Sequence, residues 1–119
     1  MKSETRLQQE CFQWHWNTFP QFRGLLNHNL NNAKDARTGK LYKSMGVIRG
    51  RADFTYYAPN GKAVFIELKT EKGTQQKHQV EWELLVKLYG YQYWVVRSLE
   101  EFQMLIDQIH SDYEINGTR

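Results

Sequence analysis

The stretch that decides the fold is Gly61–Trp82, GKAVFIELKTEKGTQQKHQVEW. Within it, Val64-Phe65-Ile66-Glu67-Leu68-Lys69-Thr70 has the β-branched and aromatic run of a buried strand. Strand side chains alternate between faces, so Phe65, Glu67 and Lys69 point one way while Ile66 and Leu68 point the other. A carboxylate and a lysine therefore share one face of a core strand. For an isolated E-x-K pair the ordinary reason is a strand end with two solvated charges. Three further residues weigh against that reason here.

The first is Asp53. PNG at Pro59 to Gly61 is a strong turn signal, so RADFTYYA and the opening strand make a hairpin. The antiparallel return brings Asp53 beside Glu67. Carboxylates packed together repel and are costly unless a cation lies between them. A hard divalent ion such as Mg²⁺ asks for oxygen ligands and takes only one or two carboxylates. The backbone carbonyl of Leu68 is a natural extra ligand. Lys69, next to such an ion, can position a nucleophilic water or meet charge developing on a phosphate oxygen. The second residue is Glu10, on a first helix between Leu7 and Trp14, where it edges the inward stripe. The third is Gln79, which shares a helix face with Gln75, Trp82 and Val86.

Outward from these residues the chain alternates helix and strand. Ser3 caps a helix running to about Thr18, with Leu7, Cys11 and Trp14 on its inner stripe, and Pro20 closes it. FRGLLNHN follows as a strand, then a polar stretch and a short helix from Ala36 to Met45, stopped by Gly46. After the hairpin, Gln75 to Tyr89 forms an amphipathic helix with Val80, Leu84, Leu85 and Leu88 on one side, and Gly90 caps it. YQYWVVR is a further strand. SLEEFQMLIDQIH is a helix with Ser98 as N-cap and Glu101 as its capping-box partner. A strand, a long helix and another strand suggest a parallel crossover, and the hairpin adds an antiparallel pair. The expectation is an α/β fold with a mixed central sheet flanked by helices.

The totals agree with one soluble domain. The chain has 119 residues, 40% hydrophobic and 24% charged, enough for one core and too few for two ordinary domains. A formal charge of +3 is compatible with nucleic acid if concentrated on one face. One cysteine, Cys11, excludes an intramolecular disulfide and a cysteine-cluster metal site. No apolar run approaches the roughly 20 residues that span a bilayer, so no membrane partner is expected. MKSETRLQQE has no apolar signal core, and a cytoplasmic location follows as an expectation. Aromatics are 14% of the chain; Trp14, Trp16, Phe19 and Phe22 exceed one helical stripe and suit either a well-filled core or a dimer surface. His15 and His28 lack partners at metal-ligand spacing.

Taken together, the ordered set resembles the PD-(D/E)XK nuclease superfamily, with its restriction-endonuclease-like fold, and within it the VRR-NUC (virus-type replication-repair nuclease) domain. The matching elements are the Gly46 to Gly50 loop, Asp53, the hairpin, Glu67-Leu68-Lys69, Gly73, Gln79 with Trp82, Gly90-Tyr91 and the helix from Ser98. The match covers roughly Gly24 to Ile109, and Glu10 fits the family's first-helix acid. Ala52 stands where the superfamily pattern has proline, a backbone feature rather than a ligand.

The resemblance implies a single nuclease domain over residues 1–119 that hydrolyses DNA phosphodiesters with Mg²⁺ or Mn²⁺. Asp53, Glu67, the Leu68 carbonyl and Glu10 would hold the metal. Lys69 would activate or position the water, and Gln79 would orient the lysine or the substrate. It also implies a homodimer that resolves branched DNA such as Holliday junctions, in a bacterial, phage or mobile-element setting. Arg49, Arg51, Lys43, Lys72 and Lys77, with Lys34, Arg37 and Lys40, are the basic residues expected on DNA phosphates; the Asn27 to Asn32 cluster reads first as turn formers. The other functional readings are a non-catalytic DNA-binding module of the same fold, and a nuclease subunit whose specificity comes from a partner protein.

Overall fold

The computed structural model describes residues 2–30 and 35–116, and Asn31, Asn32 and Lys34 lie outside the described residues. Helix α1 (Glu4–Thr18) starts where the Ser3 hydroxyl accepts a hydrogen bond from the Arg6 N–H at 3.1 Å. Its buried stripe is Leu7, Cys11 and His15, with Trp14 half-buried beside it. A single 3-10 turn, Pro20–Phe22, leads to the short strand β1 (Leu26–His28). Helix α2 (Ala36–Ser44) is capped by Asp35, which accepts from the Thr38 N–H at 2.7 Å. Then come β2 (Phe54–Tyr57), β3 (Ala63–Leu68), α3 (Lys77–Leu88), β4 (Gln92–Val96) and α4 (Leu99–Asn116). Ser98 accepts from the Glu101 N–H as expected, although the Glu101 carboxylate reaches Arg97 N–H rather than the cap itself.

The sheet runs β1-β2-β3-β4, with the first two pairings antiparallel and β3 to β4 parallel through the α3 crossover. One face carries Phe54, Tyr56, Ile66, Leu68 and Val96, in a single core with Leu7 and Cys11 of α1 and Phe102 and Ile106 of α4. Each large side chain buried there contributes about 1.5–3 kcal/mol. Burial also pushes the Cys11 thiol up to about 12. The other face carries Phe65, Glu67 and Tyr93, and α3 covers it with Trp82, whose ring lies edge-on 4.8 Å from Phe65.

Here the expected orientation of α3 is corrected. Val80, Leu84, Leu85 and Leu88 face solvent, Leu84 at 64% and Leu88 at 75% exposure, while Trp82, Val86 and Gln75 turn toward the sheet. The sheet face explains it. Phe65, Tyr91 and Tyr93 offer a ring partner that Trp82 fits with more area than a leucine, and the buried Glu67 needs the donor that Gln75 brings.

The loop before Asp53 is held against α3. Gly50 has φ +85°, and a Cβ there would lie 2.5 Å from the His78 carbonyl oxygen, so only glycine fits. On the opposite side of the sheet, the buried Tyr56 hydroxyl lies between His15 Nε2 at 2.9 Å and His110 Nε2 at 2.7 Å. It thereby ties the sheet to both α1 and α4.

Burial, reinforced by His110, lowers His15 to about 4 from an ordinary 6.5. The folded chain therefore keeps His15 neutral while the unfolded chain takes up the proton, so stability is lost as pH falls from 6.5 toward 4. Urea unfolding at about pH 5 should show about 2 kcal/mol less stability than at about pH 7. In His15→Phe most of that difference should vanish; an unchanged difference would place its origin elsewhere.

Candidate active site

The hairpin register pairs Phe54 with Ile66, and one step further along the same ladder Asp53 lies opposite Glu67. Asp53 Oδ2 accepts a hydrogen bond from the Leu68 N–H at 2.7 Å. The N–H and C=O of one strand residue project from the same edge, so the Leu68 carbonyl is directed to the Asp53 side as well. Lys69, the next residue, projects its backbone the opposite way and donates to the Val96 carbonyl at 3.0 Å. Burial raises the Asp53 carboxyl above its ordinary value; the Leu68 amide opposes this, and the charges of Glu67 and Glu4 add to it.

Glu67 has no exposed surface. Its Oε1 accepts from the Tyr93 hydroxyl and, at 3.3 Å, from Gln75 Nε2. Its Oε2 is buried and has no hydrogen-bond partner. The Lys69 Nζ lies 3.9 Å from that oxygen, an ion pair too long for a hydrogen bond. Lys69 is itself nearly buried. An ionised oxygen left bare in the interior is expensive unless something positive takes its lone pairs. Among the described residues no three His, Cys, Asp or Glu side chains gather at one point. The oxygens here are two carboxylates and a main-chain carbonyl, a set that suits a small divalent ion retaining several waters.

Further residues brace this cluster, and sequence reading had not found them. Tyr93 approaches from β4, and burial together with its bond to Glu67 pushes the phenol well above its ordinary value, so it remains a donor. Gln75 also donates to Glu83 Oε1 at 2.8 Å. Arg97 donates to the carbonyls of Thr70 at 2.9 Å and Gly73 at 2.6 Å, pinning the loop that leaves β3. Only the register of β3 against β4, which pairs Phe65 with Tyr93, makes the tyrosine recognisable.

Two expected site residues are not brought to the cluster. Glu10 is bound by Lys2 at 2.5 Å and Arg6 at 3.5 Å, and the Lys2 bond lowers its carboxyl from the ordinary value. Glu4, six residues earlier, instead lines a cleft of about 660 Å³ together with Asp53 and Leu68. Gln79 serves as a helix cap: its Oε1 accepts from the Gln76 N–H at 2.8 Å. The amide that reaches Glu67 belongs to Gln75.

The basic residues divide in the same manner. Arg49, Lys43 and Lys72 are exposed. Lys77 is exposed too and lies 3.9 Å from Glu81. Arg51 is half-buried and donates to Asn29 Oδ1 at 2.7 Å, while Asn29 Nδ2 donates to the Ala52 carbonyl at 3.0 Å. These two residues fasten β1 to the entry of the hairpin.

Comparison with solved structures places this architecture. A structure described as "VRR_NUC domain" matches with a TM-score of 0.60 at 22% identity, covering 87% of this chain and 94% of the other. A second, described as "VRR_NUC domain protein", matches with a TM-score of 0.71 at 20% identity, covering 93% and 92%. No family model and no curated protein sequence matches. At such identities the likeness establishes the fold: the chain is built on the restriction-endonuclease-like plan of the VRR-NUC domains.

Removing the Tyr93 hydroxyl isolates its part in holding Glu67. Tyr93→Phe should cost about 1–3 kcal/mol in urea unfolding, since a buried carboxylate loses a donor. In a Glu67→Gln background the same change should cost clearly less. Equal costs in both backgrounds would show that the hydroxyl acts on something other than Glu67.

Proposed function

We propose that this chain is a Mg²⁺- or Mn²⁺-dependent DNA endonuclease selective for branched DNA, Holliday junctions included. The observation that carries this reading is the bare, buried Glu67 Oε2, 3.9 Å from Lys69 Nζ and opposite Asp53, which itself lines an open cleft. The fold shared with VRR-NUC domains supports it. Asp53, Glu67 and the Leu68 carbonyl would hold the ion, with Glu4 closer to the cluster than Glu10. When bound, the ion supplies charge stabilisation at the phosphate and lowers the pKa of a water. Lys69 has the reach to hold that water and to meet negative charge growing on a phosphate oxygen. Tyr93 and Gln75 hold Glu67 through Oε1, which would leave Oε2 free to serve an ion. The exposed Arg49, Lys43, Lys72 and Lys77 supply sequence-independent phosphate contacts.

The test is cleavage of labelled four-way junction, fork, flap and linear duplex DNA with Mg²⁺, with Mn²⁺ and with EDTA. Branched substrates should be cut with either metal and spared in EDTA. Glu67→Ala and Lys69→Ala should each lower the rate at least about a hundredfold. Metal at about a hundred times its Kd should also stabilise the parent by about 2.7 kcal/mol, and Asp53→Ala should abolish that rise. Tight DNA binding without cleavage under any condition would favour the non-catalytic module, or a nuclease that needs a partner protein.

The apolar side of α3 bears on assembly. Leu84, Leu85, Leu88 and Tyr89 are all more than half exposed on a helix whose other side is packed, a patch of the kind that marks a protein interface. We assign it to a second copy, because a twofold pair of sites suits a junction with twofold symmetry. Sedimentation should give twice the 14.3 kDa of one chain. Leu84→Glu should return the mass to that of one chain without unfolding it; a monomeric parent would remove the homodimer.

A further inference from the structure

We propose that the cleft beside the carboxylates holds an unpaired nucleobase stacked on Phe12, so that among branched substrates those bearing single-stranded nucleotides are bound more tightly than a fully paired four-way junction. This inference rests on the nuclease reading above and names the part of the substrate that the site selects. The cleft follows one face of α1, from Glu4 and Gln8 near Asp53 to Phe12, with His28 and Leu30 on the opposite wall. His28 Nδ1 lies 2.9 Å from Gln8 Nε2 and 3.1 Å from the Asp53 carbonyl, so one of the two holds the ring in either tautomer.

Trp16 continues the same helix face one turn beyond Phe12. The two rings stack, with centroids 5.9 Å apart and planes 27° from parallel. The Arg23 guanidinium lies 4.9 Å over the Trp16 ring, held there by an Nε–H donated to the Trp16 carbonyl at 2.8 Å. Phe12 is 37% exposed and Trp16 43%. Their neighbours Trp14 and Phe19 pack against the core, so the core is filled without them. A ready-made stack of two rings and a cation thus stands at the open end of the candidate active-site cleft.

The chemistry of this slot matches a nucleobase better than other ligands. A base offers a flat face to Phe12 and hydrogen-bonding edges to the amides of Gln9 and Gln13, which also line the cleft. Stacking tolerates any base, which fits a site that selects shape rather than sequence. A base inside a duplex cannot reach the ring, since both of its faces are already stacked. Helix geometry gives the spacing: eight residues from Glu4 to Phe12 advance about 12 Å. At the stacked spacing of about 3.4 Å per nucleotide that is at most three or four nucleotides from the acidic end of the cleft, and fewer when the unpaired strand is extended. A branch with no unpaired nucleotides beside the cut would leave Phe12 unused.

The test uses the Lys69→Ala protein in EDTA, so that DNA is bound and not cut. The probes are a forked duplex carrying 2-aminopurine at successive unpaired positions and a blunt duplex of the same sequence. Fluorescence should be quenched most at one unpaired position, within about four nucleotides of the branch. Phe12→Ala and Trp16→Ala should each weaken fork binding about tenfold and leave blunt-duplex binding unchanged. Phe12→Tyr should restore it, and thermal melts should stay close to the parent because neither ring belongs to the core. Unchanged fork affinity, or equal losses on fork and blunt duplex, would overturn the proposal. So would a change of solution mass in these variants, which would assign the rings to a contact between copies. If the parent cuts branched DNA and the variants bind forks normally, the platform alone fails. If the parent neither binds nor cuts any DNA, the nuclease reading fails with it.

Discussion

A carboxylate with no access to water organises this molecule. Glu67 lies at the end of a core strand, and its burial sets conditions on every element around it. Tyr93 must sit in register on β4, the turn before α3 must bring Gln75 to the carboxylate, and α3 must turn Trp82 rather than its leucines to the sheet. Arg97 must hold the loop leaving β3 so that Lys69 remains close. Even so, one oxygen is left bare. A fold selected only for stability would have placed a leucine there, because replacing buried charge by well-packed apolar groups is often neutral or stabilising. Such a cost is what the metal-site reading proposed above would account for.

Much of the fold could be read directly from local signals. The PNG turn fixes the hairpin, and the hairpin's parity places Asp53 opposite Glu67 without knowledge of anything else. Ser3 and Ser98 mark two helix starts through hydrogen bonds made within four residues. Site residues on strands were legible for that reason: a strand's register is set by its own turn. Residues on helices were not. Whether Glu4 or Glu10 faces the cluster, and whether the amide comes from Gln79 on α3 or from Gln75 just before it, depends on how each helix is set against the sheet. That placement is decided by contacts such as Trp82 on Phe65. The apolar periodicity of α3 pointed to the wrong side, because it marks a surface left uncovered within one chain.

The pairing of Tyr56 with His15 and His110 shows the same limit from another direction. Its members are 41 and 54 residues from Tyr56 in sequence. No spacing rule connects them, and only the closed fold does. With 20–22% identity to the VRR-NUC structures, this chain keeps their architecture while most of its side chains differ.

The single cysteine has a practical consequence. Cys11 lies wholly inside the core, with its thiol held in the protonated form far above neutral pH, so in the native state it should be inert to alkylating reagents. Its rate of modification is then a clock for opening of the layer between α1 and the sheet. A cysteine introduced anywhere on the surface could also carry a fluorophore or crosslinker with no need to remove the native one. The chain thus comes with its own silent background for labelling.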